Sequence, residues 1–161
     1  MNTSVDAMAL DADRPRTPRP APHATHKVSY GDVMGHKVAD WKHTLLGERQ
    51  RDGVWHHVVE SVPADQAVLA NSGYAKRTTW LRKDNSATSY VETEDAGGHP
   101  YKQFVFSDIL LVDAANSKWQ PMKAVATNLQ SGHTTTIVFS RFKVGQDLPV
   151  SLFSAHAMAS N

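Results

Sequence analysis

The sequence contains no cysteine, which excludes disulfide frameworks, thiolate zinc sites, cysteine nucleophiles and a lipid-modified amino-terminal cysteine. The redox compartment is left open. Long apolar runs are also missing: none approaches the ~20 residues needed to span a bilayer. The one apolar cluster near the start, Ala7-Met8-Ala9-Leu10, is too short for the core of a signal peptide, so the amino terminus by itself implies a cytosolic chain. Nor is there a surplus of charge. Lys plus Arg number 17 against 16 acidic residues, and a nucleic-acid binder that works by neutralising phosphates needs a basic excess on one face. No GxSxG elbow, GxxxxGK[ST] phosphate loop or GxGxxG dinucleotide turn occurs.

At 161 residues the chain suits one domain with a single core. Residues 1–25 differ from the rest. Four of the eight prolines, Pro15, Pro18, Pro20 and Pro22, fall there among Arg14, Arg16 and Arg19, and few large apolar groups offset the entropy of ordering. The segment reads as a disordered Pro/Arg-rich tail, its arginines balanced by Asp6, Asp11 and Asp13. From residue 27 to 161 the pattern is that of a β domain. After a short Val28–Gly35 element, a strand is expected from about Val38 to Arg49, with Asp52-Gly53 as a two-residue hairpin turn. Val54–Ser61 returns, Pro63 stops it, and Ala64–Ser72 forms a connection with one helical turn.

A ribbon of strands follows: Tyr74–Lys83, Ala87–Asp95, His99–Val112, Trp119–Leu129 and His133–Val144, with polar turns between. The third is long enough to predict a bend near Ser107-Asp108. Short connections force neighbouring strands antiparallel, so the expected fold is a mostly-β meander with little helix. In Phe104-Val105-Phe106 and Ile137-Val138-Phe139, large apolar groups fall on both sides of the sheet, because alternate residues point oppositely. One face packing on helices while the other lines a cavity or meets a partner explains this. Plain two-sided burial in a sandwich explains it equally well.

Candidate chemistry is sparse. His56 and His57 are adjacent, point to opposite faces of a strand, and cannot share a metal; the other seven histidines are scattered without ligand spacing. No metal site or cofactor is expected. Glu92 and Glu94 lie on one strand face roughly 7 Å apart, a spacing that suits glycosidase carboxylates. Two acids beside a turn, among threonines and Lys102, are more simply a solvated face with cross-strand ion pairs. Thr134, Thr135 and Thr136 are strand residues before they are nucleophiles. Trp80, Trp119, Tyr90, Phe104, Phe106, Phe139, Phe142 and Phe153 are most simply core, although acyl-chain pockets use the same residue types.

An ordered series of motifs runs through the chain. It begins at Ser29-Tyr30-Gly31-Asp32-Val33-Met34-Gly35 and continues through Val59-Glu60-Ser61-Val62-Pro63 and Trp80-Leu81-Arg82-Lys83. Glu94-Asp95-x-Gly97-x-x-x-x-Lys102, Trp119–Met122 and Gly132-x-Thr134-Thr135 follow, and Leu148-Pro149-x-Ser151-Leu152-Phe153 closes it. This series resembles the carboxy-terminal part of the LolA-like outer-membrane lipoprotein-sorting proteins, in the branch encoded beside MMPL/RND-type exporters. The resemblance implies a curved antiparallel sheet, an incomplete barrel. It further implies a non-catalytic periplasmic carrier that binds lipid or lipoprotein acyl chains, with no nucleic-acid partner. It also implies that the amino-terminal part of the family fold is lacking, leaving an open sheet edge for a homodimer. The residues expected to line the apolar face are Trp80, Tyr90, Phe104, Phe106, Met122, Ile137 and Phe139. The alternative is a protein-interaction module of an exporter system with no lipid bound. A carrier needs an enclosed apolar cavity, an adaptor an exposed apolar patch.

Overall fold

A computed structural model describes residues 37–145, together with Asp32 and Pro149. The expected 1–25 tail, most of the 28–35 element and most of the closing 148–153 motif lie outside the described residues. Those up to Val144 belong to a unit that begins at Pro22; Gly145 and Pro149 belong to a second unit.

After a 3-10 turn at Val38–Asp40, the strands are β1 (Trp41–Arg51), β2 (Val54–Pro63), β3 (Lys76–Arg82), β4 (Thr88–Glu94), β5 (Pro100–Asp113), β6 (Lys118–Asn128) and β7 (Thr134–Val138), with helix α1 (Gln66–Ser72) between β2 and β3. They form one seven-stranded sheet in sequence order, every neighbouring pair antiparallel. Among the described residues the sheet is open, with β1 and β7 at its edges. The mostly-β meander expected from the turn spacing is the observed architecture.

Local chemistry accounts for the punctuation. Asp52 and Gly53 take φ of 51° and 77°, the two positive values that match a tight turn to the twist of its strands. Asp65 caps α1 by accepting a hydrogen bond from Val68 N–H at 3.0 Å, and Gly73 ends it in the left-handed region at φ 73°, as at many helix ends. Within β5 the expected bend falls at Asp108, whose φ is 54°. Ser107 and Ile109 pair with Lys123 and Pro121 on either side of it.

Two expectations are corrected. The last strand ends at Val138 rather than Val144. Phe139 N–H still donates to Met122 O at 2.8 Å, but Arg141 then takes φ 54°, which extended pairing does not allow. The aromatic core is also smaller than expected. Tyr90 is buried, whereas Trp119, Phe139 and Phe142 are exposed; Phe153 lies outside the described residues. Among the described residues the buried apolar set is Trp41, Val58, Tyr74, Ala87, Tyr90, Val91, Ala124 and Ala126.

Candidate functional site

Directly opposed residues on antiparallel neighbours share a face, and faces alternate along each strand. One transverse row therefore crosses six strands on one face, here termed the front: His43, Ser61, Arg77, Thr93, Lys102 and Asn128. Every member is polar. The next row on the same face is Leu45, Val59, Thr79, Val91, Phe104, Ala126 and Thr135. Beyond it come Phe106, Ala124 and Ile137, with Met122 and Phe139 on the same side by alternation. The front face thus changes from polar to largely apolar along the strand direction.

The polar row is built around a buried charge pair. Lys102 Nζ donates to Asp32 Oδ2 at 2.7 Å, with the two side chains only 2% and 1% exposed. Tyr74 O–H donates to Asp32 Oδ1 and accepts from Lys102 Nζ at 3.2 Å. The ammonium also lies 5.5 Å and 5.0 Å from the ring centres of Tyr74 and Tyr101, where the aromatic faces favour a cation. Burial, then the negative charges of Asp32 and Asp95, push the Tyr101 hydroxyl pKa up.

Other members of the row have structural partners. Thr93 Oγ donates to Lys102 O at 3.3 Å and accepts from Lys102 N–H at 3.1 Å, pinning the register where β4 and β5 shift. Asn128 Oδ1 accepts from the N–H groups of Gln130 and Ser131, both at 3.0 Å. His43 Nε2 lies 3.1 Å from Val38 O and its Nδ1 2.8 Å from Ser61 Oγ. A carbonyl only accepts, so Nε2 carries the hydrogen and, in the neutral ring, Nδ1 accepts from the serine.

Arg77 differs. Its guanidinium carbon sits 5.9 Å from the Trp41 ring centre, and among the described residues it makes no ion pair. Burial lowers its pKa, opposed by the charges of Tyr74 and Asp32, yet a guanidinium remains protonated. With Asp32, Tyr74, Val91, Phe104 and Phe106 it lines a cavity of about 40 Å³, room for a few atoms.

The seven residues expected on the apolar face are divided by the register. Phe104, Phe106, Met122, Ile137 and Phe139 fall on the front, where the Phe104 and Phe106 rings stack at 6.4 Å. Trp80 and Tyr90 fall on the back, in a row with Val58, Val105, Val125 and Thr136. There the Arg51 guanidinium lies 3.6 Å from the Tyr90 ring centre. Trp80 meets Tyr90 and buried His56 edge-on at 6.2 Å and 5.8 Å. Glu92 and Glu94 are not set against Lys102: Glu92 accepts from Tyr90 O–H at 2.6 Å, and Glu94 pairs with Lys76 at 2.6 Å.

Asp32, Tyr74, Arg77 and Lys102 were not singled out as a site by sequence reasoning. One signal was available. Lys102 shares the alternation of Phe104 and Phe106, which places a charge on an otherwise apolar face.

An open antiparallel meander with one amphipathic face defines a LolA-like fold. The similarity is seen in a domain assigned to the outer membrane lipoprotein-sorting proteins from Vibrio parahaemolyticus, at a TM-score of 0.73 and 23% identity over 85% of this chain and 56% of that one. A DUF1329 family protein from Desulfovibrio piger gives a TM-score of 0.75 at 21% identity, over 86% and 55%. A LolA superfamily protein from Nitrosomonas europaea gives 0.63 at 21% identity, over 83% and 58%. The chain spans little more than half the length of each. Residues 24–160 match a family model described as "Uncharacterized protein", and the chain belongs to that family. No curated protein matches it.

Proposed function

We propose that the protein is a non-catalytic carrier that binds lipid or lipoprotein acyl chains on its front face, in the periplasm, as part of outer-membrane lipoprotein sorting or lipid transport. The observation that carries this reading is the division of one sheet face into a polar row and adjoining apolar rows. A cargo with a polar end and a hydrocarbon chain matches that division. The cavity of about 40 Å³ at the boundary is too small for a chain, so the hydrocarbon lies across part-buried Phe104, Phe106, Met122 and Ile137. Each buried methylene contributes about 0.8 kcal/mol, which makes a chain of a dozen carbons worth extracting when it is handed over directly. The likeness to a domain of the outer membrane lipoprotein-sorting proteins supports the same class of cargo.

A second reading is favoured by a specific observation on the back face. Leu111 and Trp119, paired across β5 and β6, are 46% and 38% exposed, and Val138 on β7 is 66% exposed. An exposed apolar patch of this kind suits a partner protein: an MMPL/RND-type exporter, or a second copy joined through the open sheet edge. Native mass spectrometry of protein purified from a bacterial envelope, with lipid extraction of any adduct, separates the two. A stoichiometric lipid adduct is expected. A lipid-free dimer sinks the carrier reading and favours the interaction module.

A further inference from the structure

We propose that Arg77 is the recognition group for an anionic headgroup, so that the front face selects amphiphiles carrying a carboxylate or phosphate over neutral ones. The proposal rests on the carrier reading for its chain-binding part and on separate geometry for its anion-binding part.

Around the cavity, Asp32 and Lys102 neutralise one another through the 2.7 Å pair. Tyr74 spends its hydroxyl on the same two groups. Counting Lys102 just behind the lining, Asp32, Lys102 and Arg77 together carry one net positive charge. Arg77 is part-buried and shares with Lys102 the one carboxylate, Asp32, that acts on it among the described residues, so two desolvated cations face a single anion, an arrangement that a bound anion completes. Its planar fork suits a carboxylate or phosphate through paired hydrogen bonds. The cavity's other wall is Val91, Phe104 and Phe106, so an anion seated at Arg77 has its tail directed onto apolar rows. The shared chemistry of a lipid headgroup and a free anion is the same at Arg77; only the apolar wall distinguishes them.

The test compares three probes by isothermal titration: dodecyl phosphate, 1-monolauroylglycerol and inorganic phosphate. Wild type is expected to bind dodecyl phosphate at least about tenfold more tightly than monolauroylglycerol. Arg77→Gln is expected to abolish that preference by weakening dodecyl phosphate binding at least about tenfold more than monolauroylglycerol binding. Equal affinity of wild type for the two amphiphiles overturns the proposal, as does an equal loss for both in the variant. Binding of inorganic phosphate to wild type but not to Arg77→Gln, with neither amphiphile bound, retains the anion site and sinks the carrier reading. No binding of any probe sinks both. Arg77→Lys covers the case in which Arg77→Gln does not fold: it keeps the charge, loses the fork, and is expected to reduce the preference several-fold. A preference for dodecyl phosphate unchanged in Arg77→Lys then overturns the proposal.

Discussion

At the scale of single residues, Lys102 and Asp32 have the largest consequence for stability. Removing one member of a buried pair leaves the other charged and desolvated, at a cost of about 3–5 kcal/mol. Lys102→Met is expected to lose that much in urea unfolding, and the double variant Asp32→Asn/Lys102→Met to regain a large part of it. Additive losses in the double-mutant cycle would show that the pair is not coupled. Asp95 gives a pH-dependent test. Its Oδ1 accepts from Gly97 N–H at 2.9 Å and His99 N–H at 3.0 Å, and its Oδ2 from Gln130 at 2.8 Å. The backbone N–H of His99, then the side-chain amide of Gln130, holds its pKa below the ordinary carboxylate value. A depressed folded pKa contributes stability that is present above the unfolded value and lost as pH falls through the folded one. Asp95→Ala is therefore expected to melt at a lower temperature than wild type near pH 7. The gap should narrow as pH falls below the ordinary range of about 3.9. A gap independent of pH would contradict this origin.

Among the elements, the β1–β2 hairpin shows how far local chemistry reaches. A Cβ at Gly53 would meet nothing within 4 Å, so the effect of Gly53→Ala is a backbone effect alone. With φ at 77°, the left-handed region costs about 1–2 kcal/mol for a residue with a Cβ, and thermal unfolding should register that loss. No loss would mean that the turn relaxes to another type. The same local reasoning made the hairpin, α1 and the β5 bend legible in the sequence, because each depends on residues within a few positions. It failed for β7, where Ile137-Val138-Phe139 continues the apolar alternation although the chain leaves the sheet. Alternation reports the burial a segment can accept; whether a neighbouring strand is there to pair with is not encoded locally.

For the molecule as a whole, the proposed carrier role rests on the front face, and its apolar rows carry the binding prediction. Phe104→Ala and Phe106→Ala are each expected to weaken binding of 1-monolauroylglycerol by about 10- to 150-fold, following the roughly 1.5–3 kcal/mol gained when such a side chain is buried. Val105→Ala, between them on the opposite face, serves as the control and should change it little. Equal effects at all three positions in a titration would mean that the faces are not functionally distinct. The register divides the apolar set expected from sequence between the two faces. Trp80 and Tyr90 belong with Arg51 and His56 on the back, and five of the seven belong to the front.

Turn residues, period-two alternation and short connections determined the meander from sequence alone, since these are local preferences that a strand and its turn satisfy without reference to the rest. Only the tertiary structure decided which polar groups meet. Asp32 and Lys102 are 70 residues apart, and the row linking His43 to Asn128 depends on the pairing register of five successive strand pairs. That register passes through irregularities at Leu45/Gly47, Trp80/Leu81 and Thr93/Glu94. A slip of one residue at any of them moves a whole strand's side chains to the other face. Such shifts accumulate across the sheet, so the side on which a residue finally stands is a property of the assembled ladder rather than of any segment within it.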